Sequence, residues 1–207
     1  YEIGVRLVGS EMCIRDSDSE EPVIFELDNT EGQVREKKLD LMFVIDTTGS
    51  MGDELSYLAG ELENVVASVA RKFSDGNTDN IRCSANFYRD IGDAYTVKSN
   101  DFGSAHDFIA DLRAETADGG GDTPEAVEQA LDDAVNNHSW DNDSVKLLFL
   151  VLDAPPHNET GIVKKMQDLY AKAALKGIRI IPVVASDADR DTELLMRCGA
   201  IATGGTY

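Results

Sequence analysis

The stretch "LDLMFVIDTTGSMGDELSYL", residues 39–58, decides how this chain is read. Leu39 to Ile45 is short and almost wholly apolar, as a strand buried on both faces should be. It stops abruptly at Asp46, Thr47 and Thr48. Beyond that turn Met51, Leu55, Leu58, Leu62, Val65, Val69 and Phe73 recur every three or four residues, which is the spacing of one helix face.

The same alternation continues downstream. "IRCSANFYRD" (81–90) reads as a second strand, and "AYTVKS" (94–99) as its partner beyond a turn at Gly92. A short helix is expected over Ser104 to Arg113. The Gly-rich loop "TADGGGDTPEA" (116–126) leads into a helix with Val127, Ala130, Leu131, Ala134 and Val135 on one face. "VKLLFLVLD" (145–153) is the strongest buried strand. A helix carrying Ile162, Met166, Leu169, Tyr170 and Ala173 then leads through Gly177 to a strand over Ile178 to Ala185. Pro182 cannot donate to a ladder and marks a bulge or the strand's end. A last helix is expected from Asp191 to Arg197. Buried strands alternating with amphipathic helices predict an α/β fold, a doubly wound and mostly parallel sheet covered on both faces.

At 207 residues the chain has room for one domain with a real core. Its net charge of −20 repels nucleic acid and anionic membrane and suits cations or basic partners. No apolar run approaches the roughly 20 residues needed to span a bilayer. "YEIGVRLVGSEMCIRDS" (1–17) lacks an initiator Met and any clear period, and resembles a translated sequencing-adapter or assembly scar. Residues 18–38 read as a linker or edge extension, with "PVIFEL" (22–27) as a short strand, which leaves the domain at 39–207. The chain stops at "ATGGTY", so the fold is expected to lack its C-terminal end. Compartment is open, with an extracellular or cell-envelope setting favoured. Cys83 and Cys198 have no metal-ligand spacing and read as free thiols, a disulfide between them being the alternative.

In parallel sheets ligands bind beyond the carboxyl ends of the strands. Asp46, Thr48 and Ser50 follow the first strand, Thr123 ends the Gly-rich loop and Asp153 ends the strand over 145–153. These two carboxylates and three hydroxyls form an all-oxygen set, the donors a hard cation such as Mg²⁺ takes in octahedral geometry at about 2.1 Å. Taken singly, each has a plainer explanation. Ser50 with Asp53 spells a capping box, and Thr123 before Pro124 suits an N-cap. Capping does not explain why two apolar strands each end on an aspartate, where desolvating an unpaired charge is costly. Around the same rim, Asp118 and Asp122 flank the Gly-rich loop and read as solvated. His157 reads as an exposed loop residue, and Tyr88, Arg89 and Asp90 as ligand-facing surface or a weak local ion pair.

"DTTGS" (46–50), the Thr of "GGGDTPEA" (119–126) and the Asp of "LVLDAPPH" (150–157) resemble the metal-ion-dependent adhesion site of von Willebrand factor type A domains. That pattern is Asp-x-Ser-x-Ser with a separate Thr and a separate Asp. Asp46, Ser50, Thr123 and Asp153 match it, and Thr48 replaces the first serine while keeping its hydroxyl. "NFYRDIGDAY" (86–95) and the terminal "TGGTY" resemble a bacterial branch of the family. The resemblance implies a Rossmann-like fold and a bound Mg²⁺, with Mn²⁺ or Ca²⁺ as alternatives. It also implies direct ligation by Thr48, Ser50 and Thr123, water-mediated roles for Asp46 and Asp153, and a protein ligand whose Asp or Glu completes the shell.

Two other readings stay open. A strand ending in Asp beside hydroxyls is similar to haloacid-dehalogenase-like phosphatases, but Thr48 stands where their acid/base carboxylate would be. No phosphate loop and no G-x-S-x-G elbow is present. The remaining alternative is a structural domain with a vestigial site.

Overall fold

A computed structural model describes residues 11–14, 23–26, 37–73, 78–121, 123–157, 160–185 and 188–207. The chain divides into two compact units, residues 1–36 and 37–207. In the first, β1 (Glu11–Ile14) pairs antiparallel with β2 (Val23–Glu26), Glu11 lying opposite Glu26. β2 falls within the strand expected over 22–27, and β1 within the segment likened to an assembly scar. The rest of residues 1–36 lies outside the described residues.

The second unit opens with β3 (Lys38–Asp46), a 3₁₀ turn (Gly49–Met51) and α1 (Gly52–Phe73). It continues through β4 (Ile81–Tyr88), β5 (Val97–Gly103), α2 (Ala105–Ala114) and α3 (Val127–Asn136). β6 (Ser144–Leu152), α4 (Ile162–Leu175), β7 (Ile178–Val184) and α5 (Arg190–Thr203) complete it. The sheet order is β5-β4-β3-β6-β7, with β5 the antiparallel strand at one edge. The chain leaves β3 for β4 on one side and later returns to place β6 on the other, so β3 ends at the switch point of a doubly wound sheet.

Alternation along β3 sorts its side chains between two cores. Met42 and Val44 join α3, α4 and α5 through Leu131, Met166 and Met196. Leu41, Phe43 and Ile45 join α1 and α2 through Leu62, Val66, Phe108 and Leu112. Both faces of the strand are therefore sealed, which is why its sequence is an apolar run rather than an alternation.

Several boundaries differ from expectation for physical reasons. The α1 stripe buries Leu55, Leu62, Val66 and Ala70, leaving Val65 exposed, because Val65 stands one residue off the inward line. β5 starts at Val97 rather than Ala94, since the preceding turn is held by Asp93, whose Oδ2 accepts from Asp90 N–H at 3.1 Å. Pro182 breaks nothing: β7 is an edge strand paired only with β6, so a missing N–H on its far side is tolerated. Cys83 and Cys198 are both free, one buried and one exposed, and burial pushes the Cys83 thiol up to about 12.

Candidate metal centre

Parallel register delivers the strand ends to one rim. Asp46, the last residue of β3, lies opposite Tyr88 of β4, and Ile45 lies opposite Val151 of β6, two residues before Asp153. Asp46 is 0% exposed. Its Oδ1 accepts from the Thr48 N–H at 2.8 Å and from the Thr48 hydroxyl at 2.7 Å, the local closure that lets an Asp-x-Thr turn leave a strand. With its proton given to Asp46, Thr48 Oγ1 keeps lone pairs free, and Ser50 Oγ lies 3.2 Å from it. Thr47 points elsewhere, to the Tyr88 carbonyl and the Tyr95 hydroxyl.

The Gly-rich loop is laid over this turn. Asp118 N–H donates to the Thr47 carbonyl at 3.1 Å and Gly49 N–H to the Gly119 carbonyl at 3.2 Å. Gly120 adopts φ of +65°, and a Cβ there would sit 2.7 Å from Thr48 Cβ and 2.8 Å from Glu125 Oε1. Only glycine fits, on conformation and on space. Glu125 N–H then donates to the Pro155 carbonyl at 3.0 Å, tying this loop to the one that carries Asp153.

The capping explanations are not realised. Among the described residues Ser50 bonds only Thr48, and Thr48, at the N-cap of the 3₁₀ turn, makes no side-chain cap. α3 begins at Val127, beyond Thr123 and Pro124, which are joined by a cis peptide bond. Thr123 is exposed, and no hydrogen bond joins it to the other four candidates. It lines a groove of about 550 Å³ with Pro155, Pro156 and His157.

The electrostatics of the rim are severe. Burial, reinforced by the nearby Asp153 charge, pushes the Asp46 carboxyl up to about 6 against the Thr48 hydrogen bonds. Burial and the charges of Asp46, Asp90, Asp93 and Asp153 push Glu125 up to about 8. Tyr88, fully buried beside Asp46, is driven well above its ordinary value by burial first and by the neighbouring carboxylates second. Among the described residues Asp46 Oδ2, Asp153 Oδ1 and Glu125 Oε2 are buried with no hydrogen-bond partner, as is the Tyr88 hydroxyl. Orphaned carboxylate oxygens at such depth are expensive when ionised, and a proton or a cation relieves them. Among the described residues no group of three or more His, Cys, Asp or Glu side chains is arranged to hold a metal alone. A cation at this rim would therefore need the hydroxyls of Thr48 and Ser50.

The surrounding expectations fare unevenly. His157 is not simply exposed: its Nε2 lies 2.9 Å from Asp90 Oδ1 and its Nδ1 3.5 Å from Glu128 Oε1. Arg89 does not pair with Asp90; it donates to the Thr116 carbonyl at 2.6 Å and lies over the Tyr95 ring. Asp118 is solvent-facing, and Asp122 lies outside the described residues. Glu125 is the residue that sequence reasoning passed over. Its signal was a carboxylate two residues beyond Thr123 in a loop already marked as ligand-bearing.

A model of the von Willebrand factor A domain matches residues 40–197, most of the second unit. The chain belongs to that family. The von Willebrand factor A fold accounts for the central β3, the helices on both faces and the convergence of three loops at one rim, in a family of protein-interaction modules. The domain is also similar to a protein of Acanthamoeba polyphaga mimivirus named as an ariadne-like RING finger protein, 34% identical over 128 residues. That match takes in 59% of this chain and 12% of the relative, so the chain spans a small part of the relative's length.

Proposed function

We propose that this domain is a divalent-cation-dependent protein-binding module and not an enzyme. The observation that carries the reading is the pair of buried, unpartnered oxygens, Asp46 Oδ2 and Asp153 Oδ1, at the ends of neighbouring strands. Beside them stand hydroxyls whose lone pairs are free. Thr48 and Ser50, with Thr123 drawn in from its exposed position, hold the metal directly. Asp46 and Asp153 neutralise it through water. Mg²⁺ fits this hard-oxygen set, with Mn²⁺ and Ca²⁺ as substitutes. Hydroxyl ligands bring no charge of their own, so the cation keeps an attraction for a carboxylate. A partner protein's Asp or Glu side chain supplies it.

The residues at the rim do not suit hydrolysis. The Thr48 proton is committed to Asp46, and no second carboxylate sits two residues past it to move a proton to a leaving group. In the mimivirus relative the matching segment is a small part of a longer protein, and we place this domain likewise as the recognition element of a larger chain. The test is crystallographic. Crystals grown with Mn²⁺ should give an anomalous peak among Thr48, Ser50 and Thr123, absent from Ser50→Ala crystals. An empty rim at saturating Mn²⁺ rules the reading out.

A further inference from the structure

Buried acidic groups in this domain divide into two kinds. Asp40, 1% exposed, has Arg82 Nη2 at 2.7 Å, and Glu128, 3% exposed, has His157 Nδ1 at 3.5 Å. Asp46 and Glu125 have no Lys, Arg or His partner among the described residues. Asp46 belongs to the cation site proposed above; Glu125 is outside every residue pattern used to recognise that site.

Three observations place Glu125 at this rim. Its N–H is fixed to the Pro155 carbonyl at 3.0 Å, on the loop that starts at Asp153. Its Oε1 lies 2.8 Å, and Thr48 Cβ 2.7 Å, from the point where a Gly120 Cβ would stand, so carboxylate and Thr48 flank one missing methyl group. Its Oε2 is buried without a partner, and the residue is 2% exposed. An ionised carboxylate held this way is costly in the empty fold, and a proton or a nearby cation relieves it.

We propose that Glu125 is a third carboxylate of the cation site, acting on the metal through bound water from the side of Thr48. This rests on the cation-site reading and extends it. Groups in this outer position typically change metal affinity 10–100-fold when removed, because they orient the inner ligands and the waters between them. With Glu125 in place the cation faces three carboxylates, Asp46, Asp153 and Glu125, rather than two. The metal is then held firmly before any partner arrives.

The test is a Mn²⁺ titration of the whole chain, followed by calorimetry and by the loss of free-Mn²⁺ electron paramagnetic resonance signal. Wild type is compared with Glu125→Gln, Asp118→Asn and Ser50→Ala. Asp118 lies on the same loop with a solvent-facing side chain, so its variant removes equal charge from solvent rather than from the buried oxygens, and Asn keeps an acceptor for the Gly119 N–H. Glu125→Gln should bind Mn²⁺ at least about 10-fold more weakly, while Asp118→Asn stays within about two-fold. Equal affinity of Glu125→Gln and wild type, with Ser50→Ala impaired, overturns the role of Glu125 alone. Absence of Mn²⁺ binding by wild type overturns the cation site and Glu125's part in it together. Should Glu125→Gln fail to fold, Glu125→Asp decides, because it keeps the charge but withdraws it by one methylene. Several-fold weaker binding supports the proposal and unchanged binding refutes it.

Discussion

Replacing Asp46 by Asn separates the cost of the buried carboxylate from its use. The group is 0% exposed and burial pushes it up to about 6 from 3.8. That difference corresponds to about 3 kcal/mol between the protonated and ionised folds. Because the folded value lies above the unfolded one, this stability is fully present below about pH 4 and is lost as pH rises through about 6. Asn keeps the acceptor that binds the Thr48 N–H and hydroxyl, and places a neutral donor where Oδ2 stood. In EDTA, Asp46→Asn should therefore melt with wild type near pH 4 and above it at pH 8. For a domain of this size the gap should reach roughly 5–10 °C. Mg²⁺ should close most of the gap. At about 100 times its dissociation constant, a cation adds about 2.7 kcal/mol to wild type, and it should do little for a variant lacking the charge. The readout is differential scanning fluorimetry over pH 4–8 with EDTA or Mg²⁺. A gap in EDTA that is absent, negative or independent of pH would refute the claim that this carboxylate is unpaired in the cation-free fold.

Thr48→Val should abolish the Mg²⁺-dependent rise in melting temperature and cost the cation-free fold about 1–2 kcal/mol for the lost hydrogen bond to Asp46, read by urea denaturation with and without Mg²⁺. Arg82→Met leaves the 1% exposed Asp40 without its bidentate partner and should destabilise the domain by about 3 kcal/mol, with little dependence on salt. His138→Ala empties a buried position where one ring joins Ser84 and Asn86 of β4 to Ser99 of β5. It should raise amide exchange along β5 first, and cost about 2–4 kcal/mol overall by chemical denaturation. In a Cys13→Ser background, disulfide-forming reagents should label exposed Cys198 promptly and buried Cys83 only on unfolding, so Cys198→Ser removes a fast phase that Cys83→Ser leaves intact.

The parallel sheet was legible because burial on both faces writes itself into composition. β3 and β6 read as strands from their apolar runs alone, and the rule placing ligands at strand ends then selected Asp46 and Asp153. Legibility failed where long-range backbone contacts set the geometry. β5 starts late because Asp93 binds Asp90 N–H at 3.1 Å and Gly120 N–H at 2.9 Å, a bond spanning 27 positions that no local propensity encodes. α3 was legible, starting at Val127 directly after the loop read over 116–126; what no local signal encodes is that Glu125 N–H is pinned to the Pro155 carbonyl. His157 looked unpartnered in sequence because its partners, Asp90 and Glu128, lie 67 and 29 positions upstream.

Glu125 escaped for a different reason. A motif names residues that touch a ligand, whereas the orphaned state of Glu125 is a property of what surrounds it. Its loop neighbours Thr123 and Pro124 carry a strong local message about helix starts, and a glutamate in the first turn of a helix is ordinary. With α3 beginning at Val127, Glu125 has no such account. It then stands buried, unpaired and facing Thr48, and the acidity of the chain gives no relief. With a net charge of −20, the chain's own field makes every further buried negative charge on this rim costlier. Three such oxygens sharing one strand-end rim are intelligible as a place prepared for positive charge, and much less so as three separate accidents of packing.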